Sequence, residues 1–135
     1  MSPEVLDCAV QFSKESLMKI DIYSTALVFW ELFSRCTAHS GPVEPYKMPY
    51  EQELGRYPMK EQLRRHVSEN KQRPEMPEHW FRHDKALAHF QMTIKELWDH
   101  DFEARLTASG IVERLKMIKA MFEIGNGQAG PGLPV

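Results

Sequence analysis

From Asp21 to Cys36 the chain places apolar side chains at nearly every angle of a helix: Ile22, Tyr23, Ala26, Leu27, Val28, Phe29, Trp30, Leu32 and Phe33. A surface helix keeps a polar face, and this one barely does, so the pattern predicts a buried central helix with other elements around it. Val28-Phe29-Trp30 also suits a strand, but about 15 residues is long for a strand and ordinary for a helix. Asp21 is placed to open it, because a carboxylate at the N-cap accepts bonds from the first free amides. Upstream, Val5, Leu6, Val10, Phe12, Leu17, Met18 and Ile20 show no clean period and predict a short helix followed by a loop. Residues 37–58 are broken by Gly41-Pro42, Pro45, Pro49, Gly55 and Pro58, a long connection that Tyr46, Met48, Tyr50, Leu54 and Tyr57 can anchor. Pro58 suits a first helical position, and Met59, Leu63 and Val67 predict a short amphipathic helix over 59–70, ended by Arg73-Pro74 and Pro77. Leu87, Phe90, Ile94, Leu97 and Trp98 form one stripe of a helix from Lys85 to Asp99. Thr107 caps a last helix whose buried face is Ile111, Leu115, Ile118 and Phe122. Four of the seven glycines lie beyond residue 124, so a disordered tail is expected over 123–135. The fold class is all-α, with no strand and no internal repeat.

Composition narrows the partners. The 15.8 kDa chain is 42% hydrophobic and 27% charged, with a net charge of −2, which excludes nucleic-acid binding through a strong overall positive field. Its longest uninterrupted apolar run, Ala26 to Trp30, is far short of the roughly 20 residues of a membrane-spanning helix. No basic start followed by an apolar stretch marks a secretory signal. Cys8 and Cys36 form no CxxC pair, and two reduced thiols are expected.

The candidate chemistry is thin. The Gly125–Gly132 stretch lacks the lysine and the following helix of a phosphate loop. His79 and His83, spaced i, i+4, have no HExxH context and no evident third ligand for zinc. Trp98-Asp99-His100-Asp101 could poise a general base, but reads more naturally as a charged helix end. Arg64-Arg65-His66 with Lys71 and Arg73 makes a small basic patch, read as a solvated face. Catalytic, cofactor-binding and metal residues are therefore all assigned as none.

Three motifs in order give the chain a lineage. Met1-Ser2-Pro3-Glu4 resembles the A-P-E motif that closes the activation segment of protein kinases, with Ser2 in place of alanine. Asp21-Ile22-Tyr23-Ser24 through Trp30-Glu31 resembles the family's central helix, and Glu103-Ala104-Arg105-Leu106-Thr107 the entry to its last helix. Phe33-Ser34-Arg35-Cys36, Gly41-Pro42-Val43, Met48-Pro49-Tyr50-Glu51, Gln72-Arg73-Pro74, Trp80 and Trp98-Asp99-His100-Asp101 resemble the type II receptor serine/threonine kinases of the TGF-β, activin and BMP superfamily. The similarity runs from Met1 to about Ile118.

The resemblance implies a partial kinase domain over 1–122, the helical C-terminal lobe without the N-terminal lobe or catalytic loop. The glycine-rich loop, strand lysine, catalytic aspartate and D-F-G aspartate all precede A-P-E in the family. The chain alone is thus expected to be inactive, soluble and without cofactor, while the complete kinase would use ATP with Mg²⁺ or Mn²⁺. Its implied partners are a type I receptor kinase as substrate and a TGF-β-like ligand bound by an ectodomain, with no nucleic acid. Membrane attachment would come only through other parts of a single-pass receptor, on the cytoplasmic side of the plasma membrane. Glu4 and Arg105 match the family's structural ion pair, Asp21 its catalytic-loop anchor, and Met1, Ser2 and Pro3 its substrate-adjacent segment. One face of the central helix would pack against elements outside this chain. The other reading is a non-catalytic helical module that binds kinase or receptor partners.

Overall fold

A computed structural model describes residues 1–11, 13–39 and 41–128. Phe12 and the last seven residues of the expected tail lie outside them. Among the described residues all regular structure is helical: α1 (Pro3–Leu6), α2 (Lys14–Ser34), α3 (Glu51–Leu54), α4 (Lys60–Leu63), α5 (Lys85–Leu97) and α6 (Ala108–Gln128), with short 3₁₀ turns at Glu78–Trp80 and Phe102–Ala104. α5 packs against both α2 and α6, and α1 against the turn that follows α4.

The long helix starts earlier than its apolar pattern predicts. Ser13 is the N-cap, its hydroxyl accepting from the Ser16 amide at 3.1 Å, and Asp21 is an exposed residue about two turns inside. The periodicity of 14–20 is obscured because α2 carries apolar residues on two arcs. Ile22, Tyr23, Ala26, Trp30 and Phe33 are buried, whereas Val28 is 56% and Leu32 60% exposed, with Leu17 also open to solvent. Among the described residues only one arc of α2 is packed, and the other is the face expected to meet elements outside this chain.

The 59–70 helix also differs. Pro58 is not its first residue; Met59 is an extended cap whose amide donates to Gln62 Oε1 at 2.8 Å. After Leu63 the backbone widens into a π-helical stretch, Arg64–Glu69, closed by the Asn70 amide on the Arg65 carbonyl at 2.9 Å. α5 begins under an Asp84 cap, and α6 under Thr107, whose Oγ1 accepts from the Gly110 amide at 3.1 Å. α6 continues through Gly125 to Gln128, past residue 123 where the disordered tail was expected to begin.

One contiguous core joins these pieces. Phe33 meets Trp80 at 5.2 Å and Phe90 at 5.1 Å between ring centroids, both edge-on, and Ile94 and Leu97 of α5 are fully buried beside them. The 37–58 connection crosses this core through Tyr50, which is buried at φ 67°, ψ 5°.

Candidate functional site

The most heavily bonded side chain in the described structure lies at the start of the last helical region. A 3₁₀ turn over Phe102–Ala104, capped by Asp101 on the Glu103 amide at 3.0 Å, leaves Arg105 extended and pointing inward. Its side chain has 0% exposure. Nη1 donates to Glu4 Oε1 at 2.7 Å and to the Lys19 carbonyl at 3.0 Å; Nη2 donates to Glu4 Oε2 at 3.0 Å; Nε donates to the Asp99 carbonyl at 2.9 Å. The planar fork of a guanidinium is what allows this two-point grip on a carboxylate. Glu4 is presented by α1, where Pro3 sets the first helical turn after extended Ser2 and the Val5 and Leu6 amides close on the Ser2 carbonyl at 3.1 Å. Lys19 completes the knot by donating Nζ to the Arg105 carbonyl at 3.0 Å.

Aromatic and cationic groups extend the cluster. The Tyr23 ring lies 5.0 Å from the Arg105 guanidinium carbon and 5.3 Å from that of Arg73. Arg73 donates Nε to the Trp98 carbonyl at 2.8 Å and Nη1 to the carbonyls of Val67 at 3.0 Å and Gln72 at 2.8 Å. The Tyr23 and Tyr50 hydroxyls are 3.5 Å apart, and Tyr50 donates to the Gln72 carbonyl at 3.3 Å. One polar network thus spans α1, α2, the 37–58 connection and the segment before α6.

Burial by itself pushes the Glu4 carboxyl up. The Arg105 hydrogen bonds and charge, with help from a backbone amide of α1, reverse this and hold it below the usual carboxylate range. Burial pushes both Tyr23 and Tyr50 up, against the neighbouring guanidinium charges, so both phenols stay protonated at neutral pH.

The structure brings Glu4 and Arg105 together and places Pro3 and Ser2 beside them, both buried, with Met1 exposed at the chain start. A cavity of about 250 Å³ opens next to this segment, lined by Glu4, Ala9, Val10, Gln11, Ser16 and Phe102. Asp21 is not part of the cluster. Its carbonyl accepts from the Thr25 hydroxyl at 2.8 Å, and no hydrogen bond or ion pair among the described residues joins its carboxylate to Arg105. The basic patch is largely committed elsewhere. Arg73 faces inward, and Arg64 is held by Glu61 at 2.7 Å, Glu69 at 2.6 Å and, more loosely, Asp7 at 3.8 Å. In the Trp98–Asp101 cluster Asp99 and Asp101 accept from backbone amides, which makes it a turn scaffold. Lys19, Tyr23, Tyr50 and Arg73 were not singled out by sequence reasoning as members of a site. Tyr23, Tyr50 and Arg73 left traces there only as members of the Asp21-Ile22-Tyr23-Ser24, Met48-Pro49-Tyr50-Glu51 and Gln72-Arg73-Pro74 resemblances.

Among the described residues no three His, Cys, Asp or Glu side chains come together as a metal site. The carboxylates of this region already serve Arg105 and backbone amides. Among the described residues these donors do not fit a divalent metal, and no step through a metal or nucleotide is derived from them. No helix among the described residues is long and apolar enough to cross a membrane.

Among the described residues an all-helical assembly, its first turn tied by a buried carboxylate–guanidinium pair to the entry of its last helix, fits the C-terminal, helical portion of the protein-kinase fold. The chain is 46% identical to the activin receptor type-2B of Xenopus laevis over 119 residues, which is 88% of this chain and 23% of that receptor. It is 42% identical to the human activin receptor type-2A over 124 residues, which is 92% of this chain and 24% of the receptor. The chicken, Gallus gallus, type-2A receptor is 43% identical over the same length. No protein-family model matches. Over about nine tenths of its length the chain is homologous to the activin type-2 receptors, and it spans about a quarter of the length of the curated relatives it matches.

Proposed function

We propose that the chain serves as the C-terminal part of the catalytic domain of a TGF-β-superfamily receptor kinase. The complete enzyme would transfer a phosphoryl group from ATP, with Mg²⁺ or Mn²⁺, to a type I receptor once a TGF-β-like ligand has assembled the two. The observation that supports this most is the Glu4–Arg105 pair, which joins the two motif residues of the resemblance with two-point geometry. In this reading the pair fixes the end of the activation segment onto the helical lobe, and Met1, Ser2 and Pro3 form the wall beside the substrate residue. Asp21 anchors the catalytic loop from the outer arc of α2, the arc on which Val28 and Leu32 are exposed. Receptor attachment on the cytoplasmic side of the plasma membrane belongs to the same reading.

A second reading, a non-catalytic helical module that binds kinase or receptor partners, draws on the core these residues assemble for themselves. A chimera separates the two. Residues 1–128 replace the matching segment of the human activin receptor type-2A, and phosphate transfer to a type I receptor kinase domain is measured. The kinase reading expects transfer within about tenfold of the unmodified receptor, a loss of no more than about 1.4 kcal/mol in barrier terms. A chimera that melts like the unmodified receptor yet transfers no phosphate contradicts it and favours the module.

A further inference from the structure

A groove of about 80 Å³ lies on the side of the molecule where the 42–54 segment passes the C-terminal half of α2. Its wall contains three buried aromatic side chains, Trp30, Tyr50 and Trp80. Their positions are fixed by bonds and backbone. Trp30 donates Nε1 to the Glu75 carbonyl at 2.8 Å, the Trp30 and Trp80 rings are 6.3 Å apart, and Tyr50 holds a left-handed backbone. A left-handed conformation in a bulky non-glycine residue is costly, and such positions concentrate where a surface must be held in one shape. The approach of the loop is equally tight. A Cβ on Gly41 would stand 2.3 Å from His79 Cδ2, so a larger residue there would push the His79 ring aside. Pro42 and Pro77 stiffen the opposite ends of the lining.

Carboxylates predominate among the charges around this apolar slot. Glu44, Glu53 and Glu75 line it and are exposed, against a single ammonium, Lys47, which lies 3.5 Å from Glu44. A preformed aromatic wall beside an excess of carboxylates suits a planar cation on an apolar stem, because a guanidinium stacks on rings and forks onto carboxylates. Proline- and aromatic-lined grooves also suit extended peptides that lose little entropy on binding.

We propose that this groove docks an extended peptide segment of a protein partner through an arginine side chain. The test titrates the 135-residue chain into a fluorescein-labelled Gly-Pro-Arg-Pro-Gly peptide at low salt, with the citrulline peptide as its uncharged counterpart. The expected result is saturable binding by anisotropy, weakened at least about fivefold by citrulline and at least about fivefold by the combined Glu44→Gln, Glu53→Gln and Glu75→Gln variant. These three side chains are exposed, so the variant should melt like the unmodified chain, and the melt is recorded alongside. Absence of saturable binding, equal binding of the citrulline peptide, or undiminished binding by the triple variant would overturn the proposal.

Discussion

Arg105 is a guanidinium with no exposed surface, held by one carboxylate and two main-chain carbonyls and stacked on Tyr23. Removing it strands Glu4 and three main-chain and aromatic contacts at once. Arg105→Ala should cost about 3–5 kcal/mol in urea unfolding, because a buried charge is left without its partner. Arg105→Lys should recover only part of that, since one compact ammonium cannot grip both oxygens. The pair also sets a pH response. Folding lowers the Glu4 pKa below its ordinary value of 4.5, so the unfolded chain takes up the proton first as acid is added. The stabilisation is complete above the ordinary value and is lost as pH falls through the folded one. The stability gap between the unmodified chain and Glu4→Gln should therefore shrink between about pH 6 and about pH 3. A constant gap across that range would show that Glu4 titrates alike folded and unfolded. Nothing in local periodicity pairs these two residues, which stand 101 positions apart; only the order of the A-P-E-like motif and the Glu103–Thr107 segment suggests it.

At the scale of single elements, the informative disagreement is the start of α2. Ser13 caps it, so Ser13→Ala should destabilise the chain by about 1 kcal/mol, while Asp21→Ala, inside the helix and exposed, should change stability by less than about 0.5 kcal/mol. Thermal melts of the two variants decide between a helix opening at Lys14 and one opening at Asp21. The existence of α2, α5 and α6 was readable because each buries an apolar set at helical spacing, and Thr107 was readable as a cap. The first two turns of α2 were not, since Leu17 and Met18 face solvent there and break the expected stripe. Nor was the π-helical widening at Arg64–Glu69. Its contacts come from outside the stretch: Ser68 donates its hydroxyl to Asp7, and Arg73 reaches back to the Val67 carbonyl.

Among the described residues one contiguous core is accompanied by an uncovered apolar strip on α2. Val28 and Leu32 lie a turn apart on the outer arc of α2, with Leu17 further up. Exposed apolar surface of this kind drives association. Val28→Glu with Leu32→Lys, an i, i+4 pair of favourable order, should reduce self-association in sedimentation velocity and leave the helical circular dichroism unchanged. Unaltered association would place the sticky surface elsewhere.

Among the described residues the buried Glu4–Arg105 pair closes the structure, tying its first turn to the entry of its last helix. A double-mutant cycle reads that closure directly, from urea unfolding of the unmodified chain, Glu4→Gln, Arg105→Met and the double variant. The expected coupling is about 1–3 kcal/mol, the double variant losing less than the sum of the two single losses. Losses that add to within about 0.5 kcal/mol would mean that the two side chains do not meet in the folded chain, and would contradict that closure.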